Sequence, residues 1–270
     1  SYAESRGGKL WYPYLGSGIG KGTLVELADG GVKYDMICGI GPHYYGHSHH
    51  EIISTSIDAA LSDVILQGNL QQNTDSVALV DLLTKESGFD HCFMTTTGAM
   101  ACENGLKIIF QKKHPANRVL AFEHCFMGRT LALSHVTDKP AYRDGLPATV
   151  AVDYIPFYDA NHPEESTEKA VKILKKHLSR HPQKYAAMAM ELVQGEGGFY
   201  PGSTSFFMAL IEVLKEENIA ILVDEVQSFG RTEQLFAFQY FKLEDYIDVV
   251  SFGKLSQVCG TLYRKDFKPR

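Results

Sequence analysis

Seven short apolar runs, polar only at their ends, constrain the fold of this chain more than any other feature. They are His91–Met94, Arg118–Glu123, Thr149–Phe157, Ala186–Leu192, Ile219–Asp224, Asp248–Phe252 and Gly260–Arg264. Runs this short and this continuous suit strands buried on both faces, not strands with one wet side. Helical spacing fills several of the gaps, over Ala101–Lys112, Glu164–Arg180 and Ser205–Glu217. The alternation predicts an α/β fold: a mainly parallel sheet with helices on both faces. Ligands of such sheets lie beyond the carboxyl ends of the strands. Chemically useful residues are therefore expected just after the apolar runs.

Upstream of the alternation, residues 1–50 are rich in Gly, Tyr and His and read as turns and short strands. From Glu51 to about Gln67 the apolar residues Ile52, Ile53, Ile57, Ala60, Leu61 and Val64 follow helical spacing. Ser76–Glu86 predicts another helix. Thr137–Ala148, with Pro140, Gly145 and Pro147, reads as a surface loop. The chain has 270 residues and is 44% apolar, enough to bury a large core without disulfides or metals. The net charge of −6 is spread without long runs, which argues against a nucleic-acid surface. No apolar stretch is long enough for a membrane span, and the first residues lack a signal core. Five cysteines without a C-x-x-C pair point to a reducing, cytoplasmic setting. His43, His47, His49 and His50 lie close together, but their spacing gives no full ligand set, so no metal is expected.

Four segments carry candidate chemistry. Thr95-Thr96-Thr97-Gly98-Ala99-Met100 follows a run and opens a helix. Free N–H groups there, with hydroxyls nearby, make a phosphate cradle; a plain Thr cap with a turn glycine is the other reading of these residues, and the commoner one. Val223-Asp224-Glu225-Val226-Gln227 ends the most apolar run. A carboxylate at that place can pair with a cationic ring nitrogen, or serve as a helix cap or structural ion pair. Ser251-Phe252-Gly253-Lys254 puts a lysine at a strand end. Beside apolar surface its amine loses the proton more easily and can attack an aldehyde; a surface lysine after a turn is the other reading. Glu191-Leu192-Val193-Gln194-Gly195-Glu196-Gly197-Gly198 offers two acids on a glycine-rich loop, facing either a substrate or solvent.

The four segments share one arrangement, each at a strand's carboxyl end. In that order, with TTTGAMACENGLK, FEHCFMGRTLAL, ELVQGEGGFYPG, ILVDEVQSFGRTE and DVVSFGKLSQVCG, the chain resembles the class III aminotransferases. That group belongs to the fold-type I enzymes of pyridoxal 5'-phosphate (PLP). It includes ornithine, acetylornithine, 4-aminobutyrate and lysine 6-aminotransferases. The resemblance runs from about Gly18 to Arg264, and QVCG after the lysine is most similar to the lysine 6-aminotransferase branch.

The resemblance implies a role for each matching position. Gly98 and Ala99 offer backbone N–H groups to the cofactor phosphate. Phe126 and Val226 pack on opposite faces of its ring. Asp224 pairs with the ring nitrogen and Gln227 reaches the phenolic oxygen. Lys254 is the Schiff-base lysine and the proton shuttle. Glu191 and Glu196 belong to the substrate loop. Met127, Leu192 and His50 depart from the family pattern, where His, Pro and Pro are common, but none is a catalytic group. The resemblance also implies a seven-stranded large domain over residues 61–270, its last strand antiparallel. Residues 1–60 would contribute to a small domain and to dimer contacts. The C-terminal small domain of the family is expected to be missing from this chain, which ends at Arg270. The implied activity is ping-pong transfer of an amino group from an amine or omega-amino acid donor to a keto acid, in a homodimer. An aminomutase or decarboxylase of the same fold, or a chain that binds PLP without turnover, stays open at this point.

Overall fold

The computed structural model describes residues 2–5, 7–8, 14–62 and 72–269. The chain divides into two compact units, Ser1–Gln72 and Asn73–Arg270.

The first unit opens with a single helical turn, α1 (Tyr2–Ser5), which the glycine-rich composition did not predict. Three short antiparallel strands follow, β1 (Gly16–Lys21), β2 (Leu24–Leu27) and β3 (Val32–Tyr34). His47 Nε2 donates to Asp35 Oδ2 at 2.8 Å, and its ring lies 4.7 Å from that of His43. Two of the clustered histidines are thus occupied by local packing and an acid partner. Helix α2 (His50–Leu61) matches the predicted spacing from Glu51, and its Ile53, Ile57 and Leu61 are exposed. The rest of that predicted helix, with Val64 and Gln67, lies outside the described residues.

The second unit is built on a seven-stranded sheet. Its strands are β4 (His91–Thr95), β5 (Arg118–Phe122), β6 (Ala151–Ile155), β7 (Tyr185–Met190), β10 (Ala220–Glu225), β11 (Val249–Phe252) and β12 (Cys259–Tyr263). The two-residue strands β8 (Val193–Gln194) and β9 (Tyr200–Pro201) form a separate ribbon. The sheet order is β4-β12-β11-β10-β7-β5-β6. Strands β6, β5, β7, β10 and β11 are parallel neighbours, and β12 is antiparallel to both β11 and β4. All seven apolar runs therefore became strands of one sheet, with the last one reversed. Every residue of β7 and β10 is buried, which requires helices on both faces.

Local signals place the helices. Helix α3 (Thr74–Ser87) starts where Asn73 Oδ1 accepts from Ser76 N at 2.8 Å and stops at Gly88, whose φ of +69° only glycine adopts freely. Helix α4 (Gly98–Lys113) is capped by Thr97, whose Oγ1 accepts from Met100 N at 3.1 Å. Between β5 and β6 lie the single turns α5 (Leu133–Val136) and α6 (Pro140–Arg143). The stretch predicted as a surface loop thus holds a helical turn, because Pro140 at its first position presets φ. Its first residue, Thr137, is buried. Helix α7 (Pro163–Arg180) begins with proline and two glutamates, which favour a helix start. Ser203 caps α8 (Thr204–Glu216), and α9 (Ala237–Tyr240) is a final single turn. The core includes an aromatic cluster of Phe122, Phe157, Phe206 and Phe207 on one side of the unit. Phe229, Phe236, Phe238 and Phe252 form another.

Candidate active site

The parallel strands β5, β7, β10 and β11 all point their carboxyl ends at one cavity of about 470 Å³. It lies wholly within the second unit. Its lining includes Gly98 and Ala99 from the start of α4, Phe126 from the segment after β5, and Glu191 and Glu196 from the loop after β7. Asp224, Val226 and Gln227 come from the end of β10, and Lys254 from the end of β11. All nine candidate residues thus share one cavity, although they span more than half the chain.

Asp224 is 7% exposed and closes the inner end. Its Oδ1 accepts from Val226 N at 2.9 Å and from Ser251 Oγ at 3.0 Å. Among the described residues its Oδ2 accepts only from Cys102 Sγ, at 3.4 Å. Burial pushes the carboxyl pKa up, and these donors together with the Lys254 cation pull it back. Lys254 is half-buried and shows the opposite shift: burial pulls the amine pKa down, and Asp224 is the largest opposing charge. Its φ of +53° is left-handed, which costs a non-glycine residue about 1–3 kcal/mol. The lysine leaves β11 through Gly253, where an added Cβ would lie 2.8 Å from Cys259 Sγ. The chain therefore holds the amine in a strained turn at the rim of the sheet.

Glu191 is 5% exposed and spans two walls. Its Oε2 accepts from Phe126 N at 2.9 Å, and its Oε1 from Gly195 N at 3.1 Å. Burial, and next the nearby Asp224 charge, push its pKa up to about 8. Glu196 is exposed, at the mouth. The Phe126 ring stands edge-on to Tyr142 at 6.4 Å, and the Arg129 guanidinium lies over the Tyr142 ring, 5.9 Å from its centroid.

Two glycines allow close approach. An added Cβ at Gly98 would sit 2.7 Å from Val226 Cγ1, so only glycine lets the first turn of α4 meet that side chain. An added Cβ at Gly195 would collide with Gln227 at 1.3 Å from Oε1. The Gly195 backbone and the Gln227 amide are therefore packed together.

Several lining or supporting residues were not singled out from the sequence. Arg129, Thr130 and Cys259 also line the cavity, as does Thr97 of the cradle segment. Cys102 and Ser251 stand behind Asp224. Helical spacing held a signal for Cys102, which lies four residues beyond Gly98 and so on the same face of α4. Ser251 is three residues before Lys254 and, in an extended strand, faces the sheet side opposite to its neighbours. Neither position has a partner that spacing alone could name.

Comparison with known proteins agrees with this geometry. The family model of class-III aminotransferases matches residues 17–258. The acetylornithine aminotransferase of Methanocaldococcus jannaschii is 30% identical over 244 residues, covering 87% of this chain and 56% of that protein. The acetylornithine aminotransferase of Bacillus subtilis is 31% identical over 235 residues, covering 86% of this chain and 57% of that protein. The chain thus spans somewhat over half the length of these relatives. Among solved structures, lysine aminotransferase from M. tuberculosis in the internal aldimine form superposes with a TM-score of 0.82 at 23% identity, over 98% of this chain and 67% of that one. Ornithine aminotransferase from Toxoplasma gondii gives 0.83 at 22% identity, over 98% and 63%. These likenesses establish the fold as that of a fold-type I aminotransferase large domain. Sequence, sheet order and cavity lead to one conclusion: the chain belongs to the class-III aminotransferases.

Proposed function

We propose that this protein is a PLP-dependent aminotransferase whose Lys254 and Asp224 work from one cavity. The single observation carrying the reading is that a half-buried lysine with a depressed pKa and a buried carboxylate line the same cavity as an open helix start. The donor set fits PLP. Backbone N–H groups at Gly98 and Ala99, beside the Thr97 hydroxyl, suit a phosphate. Asp224 suits a protonated ring nitrogen, since its Oδ2 carries only a weak thiol donor and keeps a lone pair for another partner. Val226 and Phe126 give apolar walls for a flat ring, and Gln227 a donor for a phenolic oxygen.

When bound, PLP supplies an aldehyde for the amine and a ring that withdraws electrons from the carbon losing its proton. The protein residues do the rest. Burial pulls the Lys254 pKa down, which favours the neutral amine that attacks a carbonyl carbon. With the cofactor held, Lys254 Nζ would be the group that moves a proton at the substrate carbon. Asp224 would hold a proton on the ring nitrogen. Glu191 fixes Phe126 and the Gly195 turn, so the walls keep their spacing while charge moves. Arg129 and Glu196 put opposite charges at the mouth, suited to a substrate that carries both a carboxylate and an amine.

The relatives named for acetylornithine, ornithine and lysine support an omega-amino acid or similar terminal amine as donor, with a keto acid as acceptor. Residues 61–270 would form the cofactor-binding domain and residues 1–60 the part that meets a small domain and a partner. A homodimer is supported by the exposed Tyr14, Ile19, Tyr34, Met36 and Ile40 of the first unit. Five free cysteines support a cytoplasmic setting. No helix among the described residues is long and apolar enough to cross a membrane. The test is a half-reaction screen: the PLP-loaded protein is mixed with single amines and followed by absorbance, then reset with a keto acid. Conversion by a terminal amine and recovery by the keto acid are expected. A loaded protein that converts no amine overturns the proposal.

A further inference from the structure

We infer that Cys102 and Ser251 are positioning residues for Asp224, holding its carboxylate so that Oδ2 stays open toward the cofactor ring. The inference rests on the proposed role of Asp224. Three groups close a triangle: Cys102 Sγ to Asp224 Oδ2 at 3.4 Å, Cys102 Sγ to Ser251 Oγ at 3.2 Å, and Ser251 Oγ to Asp224 Oδ1 at 3.0 Å. All three side chains are buried, so water cannot replace a lost donor cheaply.

The two donors and their acceptor come from three elements. Cys102 is on α4, the helix whose start offers the phosphate cradle. Ser251 is on β11, the strand that ends in Lys254. Asp224 ends β10 between them. The triangle therefore ties the acid to the carriers of the two other cofactor contacts, and a shift in one is felt at the acid. Direction matters as well. Oδ1 is saturated by a hydroxyl and an amide, whereas Oδ2 receives one weak sulfur donor. Burial, and next the Asp224 charge, keep the Cys102 thiol protonated, so it donates and does not compete as an anion. With Oδ1 held by two donors and Oδ2 by the thiol, the carboxylate keeps its orientation, and the remaining lone pair of Oδ2 keeps a fixed aim.

The readouts are PLP affinity and the pH at which the bound chromophore changes its absorbance. Both depend on how the acid sits beside the ring and neither needs turnover. Cys102→Ala and Ser251→Ala are each expected to weaken PLP binding by about three- to tenfold and to move the chromophore midpoint. Cys102→Ser and Ser251→Thr keep a donor and should stay near the parent protein. In an Asp224→Asn background the Cys102→Ala change should lose most of its effect, as expected for residues acting through the acid. Unmoved affinity and midpoint in both alanine variants overturn the inference while leaving the aminotransferase reading intact. An equal loss in the conservative variants, or an undiminished loss in the Asp224→Asn background, overturns it as well. A parent protein that binds no PLP removes the reading and the inference together.

Discussion

Glu191 Oε2 accepts the backbone N–H of Phe126 at 2.9 Å, across 65 residues of sequence. Its other oxygen takes Gly195 N at 3.1 Å, so one buried carboxylate joins the segment after β5 to the loop after β7. Glu191→Gln presents one acceptor oxygen and one NH₂ group to two N–H donors. One of them is left unpaired, at about 1–3 kcal/mol. A PLP dissociation constant raised by about tenfold or more is expected, from equilibrium dialysis. Parent-like affinity would show that Phe126 is held by packing alone.

Gly98 and Val226 test the cradle. Gly98→Ala drives a methyl to within 2.7 Å of Val226 Cγ1 and should push the first turn of α4 outward. Affinity for free phosphate and for PLP should fall together. Shortening the opposing side chain in Gly98→Ala/Val226→Ala should recover part of the phosphate affinity, because the clash is with those methyls. If the double variant binds phosphate no better than Gly98→Ala, the lost groups at Gly98 act by some route other than this contact.

Lys254 and Asp224 separate covalent attachment from ring polarisation. Lys254→Ala should leave no cofactor bound to the protein after borohydride reduction and activity at background. Asp224→Asn should still bind PLP but turn over about 10²–10³ times more slowly, the usual size for one removed charge at a reacting site. A Lys254→Ala protein with normal turnover, or an Asp224→Asn protein with unchanged rate, contradicts the respective role.

Glu225 gives a pH prediction away from the chemistry. It is fully buried, accepts Ala237 N at 2.7 Å and Phe238 N at 2.8 Å, and burial raises its pKa to about 7. An acid whose pKa is higher folded than unfolded binds more protons in the folded state between those values. Stability therefore falls as pH rises from about 4.5 to about 7 through this group, with Glu191 extending the fall to about 8. Urea melts of the cofactor-free protein should show that slope, and Glu225→Gln should flatten its lower part. Glu225→Ala leaves two buried N–H groups without an acceptor and should cost about 2–5 kcal/mol. An unchanged slope in Glu225→Gln would mean that this acid is ionised in the folded protein across the whole range.

Much of the architecture was legible before any coordinates. Each apolar run became a strand, and each strand end that carried chemistry faces the cavity. The reason is local: a strand buried on both faces must be apolar throughout, and its polar successor must sit at the sheet edge. The cap at Thr97 was likewise legible, whereas those at Asn73 and Ser203 lie two to three residues before the predicted starts at Ser76 and Ser205, because apolar spacing does not mark the cap itself. The helical turn at Pro140–Arg143 was missed because loop composition outweighed a proline in the one helical position it favours.

The sequence by itself determined which residue types reach the carboxyl edge of the sheet, because strand periodicity and capping act between near neighbours. The tertiary structure alone decided which of them meet. The thiol of Cys102, the hydroxyl of Ser251 and the carboxylate of Asp224 come from three elements, and no spacing rule links residues 122 and 149 positions apart. Their contact depends on β11 lying beside β10 and on α4 crossing both, and that order is fixed by how the whole sheet buries its faces.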